Sequence, residues 1–105
     1  MRVSSTELYV LGALEQEAEL YGAQIAESIK QQTSGDRVIR KGTLYTTLHR
    51  MKEKGLVSSR WGDDEEVVAG ARRKYYKITA LGYKSLNEIR TTVSKPWARL
   101  ISDFS

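Results

Sequence analysis

Apolar residues recur along this chain at two different periods, and the change of period marks out its elements. Leu8, Leu11 and Leu14, with Val10 and Ala13 beside them, follow helical steps after Ser4 and Glu7, whose spacing is that of a capping box. A first helix is expected over about residues 6–17, with its leucines in the core. Tyr21, Ile25 and Ile29, joined by Ala26, give a second helix, ended by the turn residues Ser34, Gly35 and Asp36. Val38 and Ile39 are too short a run for more than one rung of strand. Leu44, Leu48 and Met51 set one apolar stripe on a third helix, while Thr43, Thr46, His49 and Arg50 come out on the opposite side. Gly55 falls where a helix C-cap needs a left-handed residue, and Leu56 just beyond can fold back on the last turn. After that the pattern becomes that of strands. The segments Val57–Trp61 and Lys74–Ile78 are rich in β-branched and aromatic residues, and Gly62 and Gly70 lie in the hairpin between them. Thr79 is placed to cap a last helix reaching to about residue 104.

The expected fold is therefore mainly α with a small β-hairpin: a winged helix-turn-helix over residues 1–79, and a C-terminal helix over 80–105 packed on the same domain. In such a fold the third helix can enter a major groove roughly 12 Å wide. A plain helical bundle would leave the hairpin without a purpose.

Charge sharpens this picture. The formal net charge is +4 over 105 residues. Residues 1–36 carry two basic and six acidic side chains, whereas residues 37–60 carry seven basic ones against Glu53 alone. The run from Asp63 to Glu66 is acidic, and Arg72, Arg73, Lys74 and Lys77 follow it without an acid among them. Positive charge thus gathers in the third helix and the hairpin, as a surface that tracks phosphates requires. A merely solvated basic face is the alternative, and the coincidence with the helix and strand pattern favours nucleic acid.

Other classes find little support. There is no cysteine, so neither a disulfide framework nor a thiolate metal site is available, which suits a reducing compartment. The N-terminus has one basic residue, no long apolar run and no small-residue cleavage pattern, so a signal peptide is not expected. No stretch approaches the length of a membrane span. The simplest expectation is a soluble cytoplasmic protein. His49 is the only histidine, with no paired carboxylate except Glu53 one turn later. No Gly-rich phosphate loop or metal-ligand cluster is present, so no enzyme, cofactor or metal is expected.

The last helix needs a partner. Leu86, Ile89, Val93, Trp97, Leu100 and Phe104 follow steps of three and four, a stripe that one small core cannot bury entirely. A two-fold homodimer formed mainly by this helix is the expectation. Pro96 removes an amide donor and disfavours helix at Lys95, so a kink, or a helix restarted with Ser94 or Lys95 as cap, is expected there. Trp97 could line a pocket between subunits for a flat apolar effector. As an interface anchor it needs no ligand, and the sequence favours the anchor.

Tyr21-Gly22 with Ile25-Ala26, then GTLYTTLHRMKEKGLV with SSRW, then GARRKYYKITALG stand in an order and spacing that resembles the PadR-type transcription regulators. The resemblance implies a dimeric winged-helix protein that binds double-stranded DNA, usually as a repressor. It implies a C-terminal helix that supplies the dimer contact, and in some members a response to small aromatic or cationic compounds. The short C-terminal region resembles the smaller subfamily, with a single helix after the wing. Two features depart from the pattern. Thr46 stands where many relatives have proline, and the wing segment DDEEVVAGA is longer and more acidic on its leading side. The four carboxylates from Asp63 to Glu66 would be repelled by phosphates and should point away from DNA or stay mobile.

The N-terminal turn of a recognition helix reaches base edges, so Thr43, Thr46 and Arg50, with His49, are the candidates for base contact. Arg50 can bond guanine bidentately, and threonine can offer a hydroxyl or a methyl group. Lys41, Tyr21, Arg72, Arg73 and Lys74 are candidates to hold phosphates. Tyr45 has two readings: partial burial on the flank of the apolar stripe, or, by the resemblance, a place at the DNA backbone. The rival from another class is a winged-helix protein-interaction module that does not bind DNA sequence-specifically.

Overall fold

A computed structural model of the chain describes residues 2–62 and 73–94. Arg72, Pro96, Trp97, Leu100, Phe104 and the acidic run 63–66 lie outside the described residues, as does the side chain of Val93. The chain forms α1 (Ser5–Gln16), β1 (Leu20–Tyr21), α2 (Gly22–Gln32), α3 (Lys41–Glu53), β2 (Val57–Trp61), β3 (Lys74–Ile78) and α4 (Ala80–Ser94).

Helix α1 starts at the expected capping box. The Ser4 hydroxyl accepts from the Glu7 amide at 3.2 Å, and the Glu7 carboxylate accepts from the Ser4 amide at 2.9 Å. Val10, Leu11, Ala13 and Leu14 are buried, while Leu8 is only partly covered. Glu7 has a second task that spacing does not reveal. It is only 2 % exposed and also takes the Lys54 ammonium at 2.8 Å. Lys54 is the C-cap of α3, so this pair clasps the start of one helix to the end of another.

Burial pushes the Glu7 carboxyl up, but the hydrogen bonds from Lys54 and Ser4 outweigh it and hold the group below its ordinary value of 4.5. A carboxyl depressed on folding contributes stability above its unfolded value, and that contribution disappears as pH falls through the lower folded value. Urea titrations should therefore show stability falling as pH drops below about 4.5, with a shallower acid limb in Glu7→Gln. An unchanged limb in that variant would remove the pair from the acid response.

Helix α3 ends as the sequence requires. Gly55 takes φ +79°, its amide donates to the Lys52 carbonyl at 3.0 Å, and the Leu56 amide donates to the Met51 carbonyl at 2.9 Å. This double closure returns Leu56 to the core, where it meets Leu44, Leu48, Met51, Ile25 and Ile29 in one buried cluster. Val38, in contrast, pairs with no strand and is 72 % exposed.

The sheet has three strands in the order β1-β3-β2, all antiparallel, and not the two expected. Leu20 and Tyr21 pair with Tyr76 and Tyr75. Two residues are too few to show an alternation, so β1 is made by pairing with β3 and not by local pattern. The pairing makes β3 the centre of the sheet. Across the hairpin, Val57 faces Ile78 and Trp61 faces Lys74.

At α4 the Thr79 hydroxyl accepts from the Gly82 amide at 3.0 Å and donates to the Gly55 carbonyl at 2.6 Å, so the expected cap also ties α4 to the end of α3. Arg90 reaches Glu15 on α1 at 2.6 Å. Leu86 is corrected as a partner-facing residue: at 4 % exposure it belongs to the core of its own chain. Ile89, one step on, is half-buried.

Candidate nucleic-acid interface

Because Leu44, Thr47, Leu48 and Met51 are buried, the other side of α3 faces solvent. Lys41, Gly42, Thr43, Tyr45, Thr46, His49 and Arg50 are all exposed, as their spacing predicts. The two threonines at the middle of the helix turn their protons inward. Thr46 Oγ1 donates to the Gly42 carbonyl at 2.9 Å, and Thr47 Oγ1 donates to the Thr43 carbonyl at 2.8 Å. His49 and Glu53 form a pair at 2.8 Å, both well exposed, so the one acid of this helix lies against its one imidazole.

The surface of α3 divides into two flanks. Lys41, Tyr45, His49 and Lys52, with the carboxylate of Glu53, form one wall of an open groove of about 980 Å³, and Trp61, Arg73 and Lys74 form the other. Tyr21 and Gly22 close its head. Thr43, Thr46 and Arg50 lie outside the groove on the adjoining flank. The structure thus brings Tyr21, Lys41, Tyr45, His49, Arg73 and Lys74 around one groove and sets the other three beside it.

Aromatic rings hold the wing cations in place. The Arg73 guanidinium lies 4.2 Å from the centre of the Tyr21 ring, and the Lys74 ammonium 5.2 Å from that of Trp61. Tyr21 in turn meets Tyr75 edge-on, with centroids 5.8 Å apart. Tyr45 is partly covered on the flank of the apolar stripe, in keeping with the first of its two readings. It is 41 % exposed, yet its phenol sits so close to α2 that a Cβ added at Gly22 would come within 2.9 Å of the hydroxyl oxygen. Glycine at 22 is what lets that ring lie down.

Counting charges overstated the free basic surface. Lys54 is taken by Glu7, Arg60 pairs with Glu19 and stacks on Tyr75 at 4.7 Å, and Arg37 lies over Tyr9 at 5.1 Å while bonding Ser5 and Thr6. Lys41, Arg50 and Lys52 make no ion pair among the described residues. Lys52 and Trp61 are groove residues that the sequence reasoning did not single out. Lys52 shares a helical face with Lys41 and Tyr45, a signal available in the spacing. Trp61 had none, since its place depends on the hairpin register opposite Lys74.

Three packed helices, a two-stranded wing and an exposed polar and basic face on the third helix define a winged helix-turn-helix protein. Within that class the chain belongs to the transcriptional regulator PadR-like family, whose model matches residues 10–88. These are DNA-binding transcription regulators and not enzymes. Over 77 residues the chain is 35 % identical to a transcriptional regulator of Mycobacterium tuberculosis, a match spanning 73 % of this chain and 65 % of that protein. A PadR family transcription regulator from Clostridium difficile has the same fold, with a TM-score of 0.72 and 27 % identity over 96 % of this chain and 94 % of that one. The PadR of Bacillus subtilis shares the fold at a TM-score of 0.65 and 21 % identity, over 77 % of this chain and 44 % of the other. No described helix is long and apolar enough to cross a membrane. Among the described residues no cluster of metal-binding side chains occurs.

Proposed function

We propose that the protein is a homodimeric, sequence-specific binder of double-stranded DNA that acts as a repressor in the cytoplasm. Residues 1–79 form the DNA-binding unit, and residues 80–105 supply the dimer contact. The observation that carries this reading is the joint exposure of Thr43, Thr46 and Arg50 beside a groove whose two walls both carry cations. Helix α3 enters the major groove with Thr43, Thr46, His49 and Arg50 toward the bases. Lys41, Tyr21, Tyr45, Arg73 and Lys74, joined by Arg72, hold the flanking backbone and fix register without reading sequence. The Bacillus PadR that shares the fold was solved in complex with operator DNA, which supports the same partner here.

Dimerisation rests on Ile89 with Val93, Trp97, Leu100 and Phe104, since Leu86 is occupied by its own core. Two copies of α3 then meet half-sites roughly 34 Å apart. A seat for a flat aromatic effector at Trp97 belongs to the same proposal.

The test is affinity for a cognate and a scrambled duplex across a range of salt. The cognate duplex should bind at least about 10³-fold more tightly, with log K falling steeply against log salt. Arg73→Ala should weaken both duplexes alike and reduce the slope by about 0.9, the contribution of one phosphate contact. An unchanged slope would take Arg73 out of the interface. A flat response in the unmodified protein, with no preference between duplexes, would support the rival protein-interaction module.

A further inference from the structure

The base-reading candidates differ in what they can still offer a base pair. The Thr46 hydroxyl donates to the Gly42 carbonyl at 2.9 Å, a bond that threonine makes readily to the preceding turn of its own helix. A hydroxyl has one proton and two acceptor lone pairs. With the proton directed at Gly42, Oγ1 meets an incoming base only as an acceptor, and the other group on the same carbon is a methyl. At Gly42, one turn earlier, an added Cβ would meet nothing within 4 Å, so the surface beside Thr46 is bare backbone with room for an apolar group.

An acceptor beside a methyl and an open notch discriminates among base pairs. In the major groove guanine shows only acceptors at N7 and O6, which an acceptor oxygen repels. Cytosine shows an amino donor but no methyl group. An A·T pair shows both, the N6 amino group on adenine and the C5-methyl on thymine.

We infer that Thr46, with the open position at Gly42, selects an A·T pair by accepting from adenine N6 and packing its methyl against that of thymine. This rests on the reading of α3 as the base-contacting helix. Arg50, one turn further on, has only donors and suits guanine. Each half-site therefore carries an A·T and a G·C pair met by adjacent turns of the same helix.

The experiment uses duplexes selected by the full-length protein from a random pool, altered at the A·T pair one group at a time. Uracil in place of thymine removes the methyl, and purine in place of adenine removes the 6-amino group. Unmodified protein should lose about fourfold with uracil and about tenfold with purine, corresponding to one methyl contact and one hydrogen bond. Thr46→Ser should keep the purine penalty and lose the uracil penalty, and Thr46→Val should do the reverse. Thr46 is exposed, so neither variant disturbs the core. Equal penalties in all three proteins, or a G·C pair selected at this position, would overturn the inference while leaving DNA recognition by α3 standing. A pool that yields no preferred sequence would overturn that wider reading instead.

Discussion

Arg50→Ala is expected to lose roughly 1 to 3 kcal/mol of affinity for a cognate duplex and to relax the preference at one base position. The side chain is exposed on α3 and makes no ion pair among the described residues, so its guanidinium is available to a base. A guanidinium offers two parallel donors to guanine O6 and N7, a geometry that alanine cannot replace and lysine reproduces only in part. Folding should be unaffected, because removing an exposed side chain leaves no cavity. Binding isotherms on cognate and scrambled duplexes separate the two roles open to this residue. A base contact loses affinity on the cognate duplex alone, whereas equal loss on both would make Arg50 a phosphate contact.

Gly82→Ala should have the largest effect on stability. Alanine is the better helix former by about 1 kcal/mol, so propensity alone predicts a gain. Packing opposes it. A Cβ at position 82 would run into the Leu56 carbonyl oxygen and approach Ile78 Cγ1 to 2.7 Å. The first obstacle is backbone, held by the Thr79 amide that donates to the same oxygen at 3.1 Å, so it cannot swing aside as a flexible side chain would. Overpacking of this kind typically costs 1 to 3 kcal/mol and occasionally more. A clash with fixed backbone belongs at the upper end of that range, about 3 kcal/mol, so contact outweighs propensity and leaves a net loss of about 2 kcal/mol. For a domain of this size that lowers Tm by roughly 10 °C. Gly42→Ala is the control, since its Cβ meets open space and should leave Tm unchanged or raised. A Gly82→Ala protein as stable as its parent would mean that α4 can shift away from Leu56 and β3 without loss.

These two residues also show where the sequence was legible. Elements announced by local chemistry came through: the Ser4–Glu7 capping box, the left-handed Gly55 with Leu56 folded back, both long strands, and Thr79 at the head of α4. The outer face of α3 was equally plain, because a period of 3.6 residues sorts exposed from buried positions without further information. What depends on partners far along the chain was not readable. Strand β1 exists only through Tyr75 and Tyr76, more than 50 residues on. The stripe containing Leu86 revealed an apolar face but not whose core would cover it. Lys54 and Arg60 counted as free charges until Glu7 and Glu19 came to lie beside them. The groove combines both cases. Its α3 wall follows from helical steps, whereas its wing wall needs the register that sets Trp61 opposite Lys74. The closeness of Tyr45 to Gly22 likewise belongs to the packing of α2 on α3 and has no sequence signal of its own.

The most direct measurement is selection of bound sequences from a random pool of duplexes by the full-length protein, followed by footprinting of the winners. The account predicts a motif with two-fold symmetry, its half-sites about one helical turn apart, protected on both strands. Winners that share no motif, or one without symmetry and bound by a single chain, would contradict it.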